Sequence, residues 1–315
     1  MPSRTVAAPG PDPVLLAEHR PTVAGAATSY RVWGDPDAAT TLVAVHGFRG
    51  DHHGLLPIVA HLPGHRVITP DLPGFGESAP FPGTHDLAAY AAWLTELCDL
   101  LRSGFPDTPV ALLGHSFGSV VAAAAVAGGL RPDRLVLVNP IAAPALQGRR
   151  AVLSAIAVGY YRLGARLPAA LGNQLLANRA VVRAISQLMV TTRQKPLRRW
   201  IHDQHHRYFS GYADRRVVLE AFSASVSHDV AEHAAGLTVP TLLVAGDRDD
   251  LVPVPAVERL HRAVPGSRLE ILPGVGHLIH YERPAAAAAL IGEFLGGGAP
   301  PQGPSRSASG PGSDR

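Results

Sequence analysis

The chain has 315 residues, 46% of them hydrophobic and 17% charged, with a formal net charge of +3. That composition fits a soluble globular protein with a substantial core and excludes a disordered chain. The charge is too small for this length to imply nucleic acid, and no helix-turn-helix, RRM or zinc-finger pattern accompanies it.

Residues 1–20 contain Pro9, Pro11 and Pro13 and lack the continuous apolar run of a signal peptide. They are expected to be flexible and the protein cytoplasmic. No stretch of about 18 uncharged apolar residues is available to span a bilayer; peripheral membrane contact stays compatible with the sequence. Ser29–Trp33 alternates and predicts an early antiparallel strand. Short apolar runs follow at Thr41–Val45, Arg66–Thr69, Val110–Leu113, Leu135–Val138, Thr241–Ala245 and Leu269–Leu272. Helical patterns occupy Leu55–Leu62, Asp86–Ser103, Phe117–Gly128, Ala256–Ala263 and Ala285–Phe294. Strands alternating with helices predict an α/β fold with a mostly parallel central sheet covered on both faces. Cys98, the only cysteine, lies on the stripe Leu87, Tyr90, Ala91, Leu94, Cys98, Leu101 and reads as core packing. A lone cysteine excludes an intramolecular disulfide and a cysteine-based zinc site.

The regular spacing stops at Asn139. The next strand begins roughly 100 residues later, whereas a crossover needs only about a dozen. The excess has a helical pattern, including Leu153, Ile156, Ala157 and Tyr160. It predicts an all-helical cap over residues 141–237, set into a core formed by 21–140 and 238–296. Residues 297–315 are rich in Gly, Pro and Ser and are expected to be disordered.

Gly114-His115-Ser116-Phe117-Gly118 is a G-x-S-x-G pentapeptide between a predicted strand and a predicted helix. In that context the serine sits on a strained turn that raises its hydroxyl above the sheet. The helix that follows aims its first N–H groups at the same point. A serine hydroxyl needs a base. Of sixteen histidines, His277 in Gly274-Val275-Gly276-His277 follows the last strand at the sheet's C-terminal edge. His280 is its rival, expected to face solvent or the cap. The imidazole in turn needs a carboxylate to fix its tautomer. Asp249 in Gly246-Asp247-Arg248-Asp249-Asp250 is favoured for reach and Asp250 is second. Asn139 ends the preceding strand, where an acid would also serve, but carries no charge. Oxyanion donors are expected from the N–H of Phe117 and, in His46-Gly47-Phe48-Arg49-Gly50, from Phe48. His46 is expected to hold that loop by bonding to backbone. No metal or organic cofactor is called for.

These motifs together resemble the cap-bearing α/β-hydrolase superfamily. The matching stretches are His46-Gly47-Phe48, Asp71 to Ser78 (DLPGFGES), the Ser116 pentapeptide, Gly246 to Asp249 with Pro253, and Gly276-His277 with Glu282 and Pro284. The resemblance implies Ser116 as nucleophile, His277 as base, Asp249 as the orienting acid, and oxyanion N–H groups at Phe48 and Phe117. It implies a mainly structural Asp71–Ser78 loop bordering the pocket. Ser119 stands where glycine is common in relatives. Ser116 excludes the aspartate-nucleophile dehalogenases and epoxide hydrolases. Esterases, lipases, thioesterases, perhydrolases and carbon–carbon bond hydrolases all use the same triad, so the implied activity is hydrolysis of a carboxylic ester or related acyl bond. A non-catalytic binding protein would have no use for all three residues.

Between Ile141 and Ala235 thirteen basic residues face five acidic ones, an excess of eight against +3 for the whole chain. Arginine interleaved with Leu, Ile and Tyr suits a solvated helix face, or equally an amphiphilic, anionic substrate or a negatively charged membrane surface.

Overall fold

The computed structural model describes residues 10–296 apart from 107, 144–150, 177 and 210. The segment 297–315 therefore lies outside the described residues. The strands are β1 (Leu15–His19), β2 (Thr22–Val23), β3 (Ala26–Ala27), β4 (Tyr30–Gly34), β5 (Thr41–Val45), β6 (Arg66–Pro70), β7 (Val110–His115), β8 (Arg134–Val138), β9 (Thr241–Gly246) and β10 (Arg268–Leu272). Helices α1 (Leu56–Val59), α2 (Leu87–Gly104) and α3 (Phe117–Ala127) alternate with the early strands. Five more follow β8: α4 (Ala151–Arg166), α5 (Ala169–Leu176), α6 (Arg179–Met189), α7 (Lys195–Tyr208) and α8 (Arg215–Ser227). After β9 come α9 (Val254–Ala263), α10 (Ile279–Glu282) and α11 (Pro284–Leu295).

Eight strands form one sheet in the order β1-β4-β6-β5-β7-β8-β9-β10, while β2 and β3 pair separately. Within the eight-stranded sheet the β1–β4 and β4–β6 pairs are antiparallel and the other ladders parallel; β2–β3 is antiparallel. Buried on both faces, the central strands read as unbroken apolar runs, TLVAV in β5 and VALLGH in β7. Neighbouring residues serve opposite cores: Leu112 packs with Trp93 and Leu97 of α2, Leu113 with Ile58 of α1 and Ile291 of α11. Cys98 lies in the first of these cores. Asp86 caps α2 by accepting from Ala89 N at 2.9 Å.

Residues 15–19 depart from the expected flexible N-terminus. They pair along β4, Ala17 opposite Val32 and His19 opposite Tyr30, although Leu15 and Leu16 stay exposed. Backbone hydrogen bonding holds this edge strand where burial does not, which is why its hydropathy gave no signal. The last part of the helical insertion packs into the core. Val217, Ala221 and Ala224 of α8, with Val230, Ala234 and Leu237, belong to the same apolar cluster as α2 and α3. All but Leu237 are small or β-branched; α8 packs against α2 and the Val230–Gly236 turn against α3, which makes the last part of the insertion continuous with the core.

That continuity has a measurable consequence. Ala221→Arg, at a fully buried position on α8, should overpack the main core and bury an unpaired charge, costing over ~3 kcal/mol. Urea unfolding followed by circular dichroism and fluorescence should shift as one transition; an unchanged main transition would show that α8 unfolds on its own.

Candidate active site

The parallel registers bring the strand ends to one edge. Val45 of β5 lies opposite Gly114 of β7, His115 opposite Val138 of β8, and Leu272 of β10 opposite Gly246 of β9. The loops leaving these positions carry every candidate residue.

Ser116 adopts φ 53° and ψ −120° between β7 and α3. For a residue with a Cβ this left-handed backbone costs of order 1–3 kcal/mol and persists only where surroundings enforce it. Here Ser116 N donates to Val138 O at 3.1 Å, and the Ser116 carbonyl accepts from Ser119 N at 2.8 Å and Ser119 Oγ at 2.5 Å. Ser119 Oγ also accepts from Ile141 N at 3.2 Å, tying the elbow to the start of the insertion. The elbow is crowded. A Cβ at Gly118 would collide with the carbonyls of Val45 and His46, and one at Gly47 would stand 3.1 Å from Ser116 Cβ. Glycine at both places lets the loop after β5 lie directly against the serine.

His277 closes the gap from the other side. Its Nε2 is 2.8 Å from Ser116 Oγ and its Nδ1 is 2.8 Å from Asp249 Oδ2. In the tautomer that satisfies both, Nδ1–H donates to the carboxylate and Nε2 accepts the serine proton. His277 is 3% exposed and Asp249 5% exposed, so little water competes for either. Asp249 Oδ1 accepts from Leu251 N at 2.9 Å and Val252 N at 3.0 Å; Oδ2 also accepts from Asn139 Nδ2 at 3.0 Å. Burial alone would raise this carboxyl. The facing His277, its hydrogen bond and the two amides outweigh burial and hold it below the ordinary carboxylate value.

The competing residues fall elsewhere. Asp250 is exposed, and Asp247 accepts from Gly274 N at 2.7 Å. Asn139, with φ 46°, is bound to both Asp249 and the Gly276 carbonyl (3.2 Å). It sits where an acid would also reach and instead donates to the acid, a role the sequence did not disclose. His280 corrects the expectation of a loop residue open to solvent: it is buried on α10, 4.1 Å between ring centroids from His115, and interacts electrostatically with His205 of the inserted helix α7. His46 accepts from Leu72 N at 2.9 Å and its Nδ1 lies 2.9 Å from Gly47 O, a pair of backbone bonds that holds the loop.

Phe117 is the first residue of α3, so its N–H has no acceptor within the helix. Phe48 packs edge-on to Phe75 and Tyr161. Sequence reasoning passed over its neighbour. Arg49 is fully buried with φ 63°. Its guanidinium donates to Phe209 O (3.0 Å), Tyr161 Oη (3.2 Å) and Leu176 O (2.9 Å). One side chain thus ties the loop beside Ser116 to α4, α5 and α7. The DLPGFGES loop makes a second tie, through the Phe75–Tyr212 bridge and Gly76 N donating to Gly211 O at 2.8 Å. Asp71 anchors that loop from within, accepting from His52 N at 2.7 Å and Glu77 N at 2.9 Å. Asp51, His52 and His53 hold ligand atoms within 4.8 Å of one another. His52 is already bound to Asp71 and lies 3.1 Å from the Arg31 guanidinium, a poor setting for a cation.

Known proteins share this architecture. A family model described as alpha/beta hydrolase family matches residues 42–290. The chain belongs to that family. A Neisseria meningitidis protein named pimeloyl-[acyl-carrier protein] methyl ester esterase is 29% identical over 266 residues, covering 84% of this chain and 95% of its own. The esterase from Exiguobacterium antarcticum superposes with a TM-score of 0.70 at 18% identity, over 89% of this chain and 100% of that one. The enol-lactonase from Burkholderia xenovorans LB400 gives 0.68 at 22% identity, over 88% and 99%. At those identities the two structures share the fold and carry no further argument. No described helix is long and apolar enough to cross a membrane.

Two measurements check this construction. Arg49→Met removes donors from two backbone carbonyls and should lower the melting temperature by about 4–10 °C. Arg49→Lys should recover only part, since one ammonium cannot reach three divergent acceptors; full recovery would refute the tether. The second concerns pH. Burial pushes His115 and His205 down to about 3 and His202 to about 4, and lowers His46 and His280. The unfolded chain protonates these rings near the ordinary value of ~6.5 while the folded chain does not. Stability should therefore be full above about pH 6.5 and fall steadily toward pH 3. Urea midpoints unchanged between pH 7 and 5 would contradict it.

Proposed function

We propose that this protein hydrolyses a carboxylic ester through an acyl-enzyme formed on Ser116. The observation that carries the reading is the continuous relay from Ser116 Oγ through His277 to Asp249, with both links at 2.8 Å. The ester assignment is supported by the family, and by the methyl ester esterase name of a relative that aligns along 84% of this chain.

In this scheme His277 Nε2 takes the Ser116 proton as Oγ attacks the ester carbonyl. Asp249, held ionised by its surroundings, keeps Nδ1 protonated and stabilises the imidazolium. Negative charge develops on the carbonyl oxygen and is met by the N–H groups of Phe48 and Phe117. The tetrahedral intermediate collapses when His277 returns its proton to the leaving alkoxide, releasing an alcohol and leaving an acyl group on Ser116. Water then attacks the acyl carbon with His277 as base, and the acid departs. Every proton transfer is assigned to a side chain already in place. The insertion supplies Tyr161 from α4 and Phe222 from α8, which stack at 3.8 Å beside Phe48 in the loop next to Ser116.

The test is labelling by a fluorophosphonate probe together with turnover of p-nitrophenyl esters of increasing chain length. Ser116→Ala should lose the label and reduce turnover by about 10³-fold or more. Label retained by the variant would remove Ser116 from its role. Labelling without turnover of any oxygen ester would direct the reading to thioesters or vinylogous diketones, which the same triad serves.

A further inference from the structure

The basic excess of the insertion concentrates in one place. Arg183 and Gln187 stand one turn apart on α6; Lys195, Arg198, Arg199 and His202 follow one another at helical spacing on α7. These six side chains line a cavity of about 370 Å³. Among the described residues no carboxylate lines it. Lys195 is the only lysine of the chain. Among the described residues, none forms a hydrogen bond or ion pair with the side chains of Arg183, Lys195, Arg198 or Arg199. Glu282 interacts electrostatically with Arg198, but its Oε1 is occupied by Thr191 N at 2.6 Å and Thr192 N at 3.1 Å. Other arginines differ: Arg31 meets Glu18 and Glu77, and Arg268 meets Glu270 and Glu293.

One wall of the cavity is built and polar. His202 is 4% exposed, and its Nδ1 lies 2.6 Å from Ser186 Oγ. The same hydroxyl lies 2.7 Å from His205 Nδ1. A serine has one proton to give, so it donates to one ring and accepts Nδ1–H from the other. Both imidazoles are thereby fixed in place. Burial, with Arg183 and Arg198 adding to it, lowers His202 to about 4, so the ring is neutral at physiological pH and registers the positive potential beside it.

Four cations line this open recess, Arg198 half-buried and the other three exposed, and an anion seated among them would offset their mutual repulsion. Guanidinium forks match the tetrahedral oxygens of phosphate, and the volume falls within the ~300–1,000 Å³ typical of small-ligand sites. We propose that the cavity between α6 and α7 binds a phosphate group, separate from Ser116. Free phosphate compounds and a phospholipid headgroup share that chemistry, and Leu188, 64% exposed on α6, is available to an adjoining lipid.

The intact chain is titrated with inorganic phosphate against chloride at matched ionic strength, by calorimetry and by melting temperature. It is also floated with vesicles of phosphatidylcholine, with and without phosphatidic acid. Phosphate should bind and raise the melting temperature above the chloride control. The Arg183→Ala/Arg198→Ala double variant should weaken binding by about tenfold or more, equivalent to ~1.4 kcal/mol. Arg198→Gln alone repeats the comparison should the double variant melt early. Binding to phosphatidic acid vesicles alone, lost in the variants, supports the same site with a lipid source. Failure of both probes, or binding undiminished in the variants, overturns the proposal. Neither outcome depends on ester turnover, so it stands or falls apart from the Ser116 reading.

Discussion

The left-handed backbone at Ser116 is the constraint from which the rest of the site follows. Such a conformation is unfavourable on its own and requires enforcement from several directions. Val138 O fixes the amide, Ser119 fixes the carbonyl, and Gly118 lets the β5 loop press against the first turn of α3. These contacts come from β8, α3 and β5, so the hydroxyl is oriented by the sheet itself rather than by its own loop. Because the parallel registers align the strand ends, the residue that meets the hydroxyl can come from a loop 161 positions away in sequence.

His277 and Asp249 illustrate how burial and hydrogen bonding are balanced. A carboxylate only 5% exposed would favour its neutral form if left to desolvation. Two amide donors, the Asn139 amide and the imidazole reverse that preference. Asn139 is informative because it occupies the end of β8 with a left-handed backbone, a conformation asparagine tolerates better than most residues. An aspartate there would set two negative charges side by side. A donor at that position instead gives the Asp249 carboxylate one more hydrogen bond.

Much of this was readable from residue order. The central parallel strands β5, β7, β8 and β9 announced themselves as apolar runs, because burial on both faces leaves few polar positions to blur the pattern. Ser116, His277 and Asp249 were legible because each lies just past such a run, and strand ends must gather at one edge. What escaped had no local signature. β1 is held by backbone pairing while its leucines stay exposed, so hydropathy says nothing about it. α8 looks like any other helix of the insertion, and only the small side chains Ala221 and Ala224 hint that it packs into the main core. His280 was misjudged because a turn of four residues, Ile279–Glu282, rotates it inward.

Arg49 shows why the insertion is more than a cover. An arginine at 0% exposure, next to Phe48 in the loop after β5, would read from sequence as an ordinary loop charge. Its acceptors at Tyr161, Leu176 and Phe209 belong to α4, to the carbonyl end of α5 and to the segment after α7. Displacing any of these helices would strand a buried guanidinium or a buried carbonyl, which is costly in a low-dielectric interior. The loop after β5 and the helices above it therefore move together or not at all. Substitutions in the inserted helices can thus alter the setting of the β5 loop beside Ser116 without touching Ser116, His277 or Asp249.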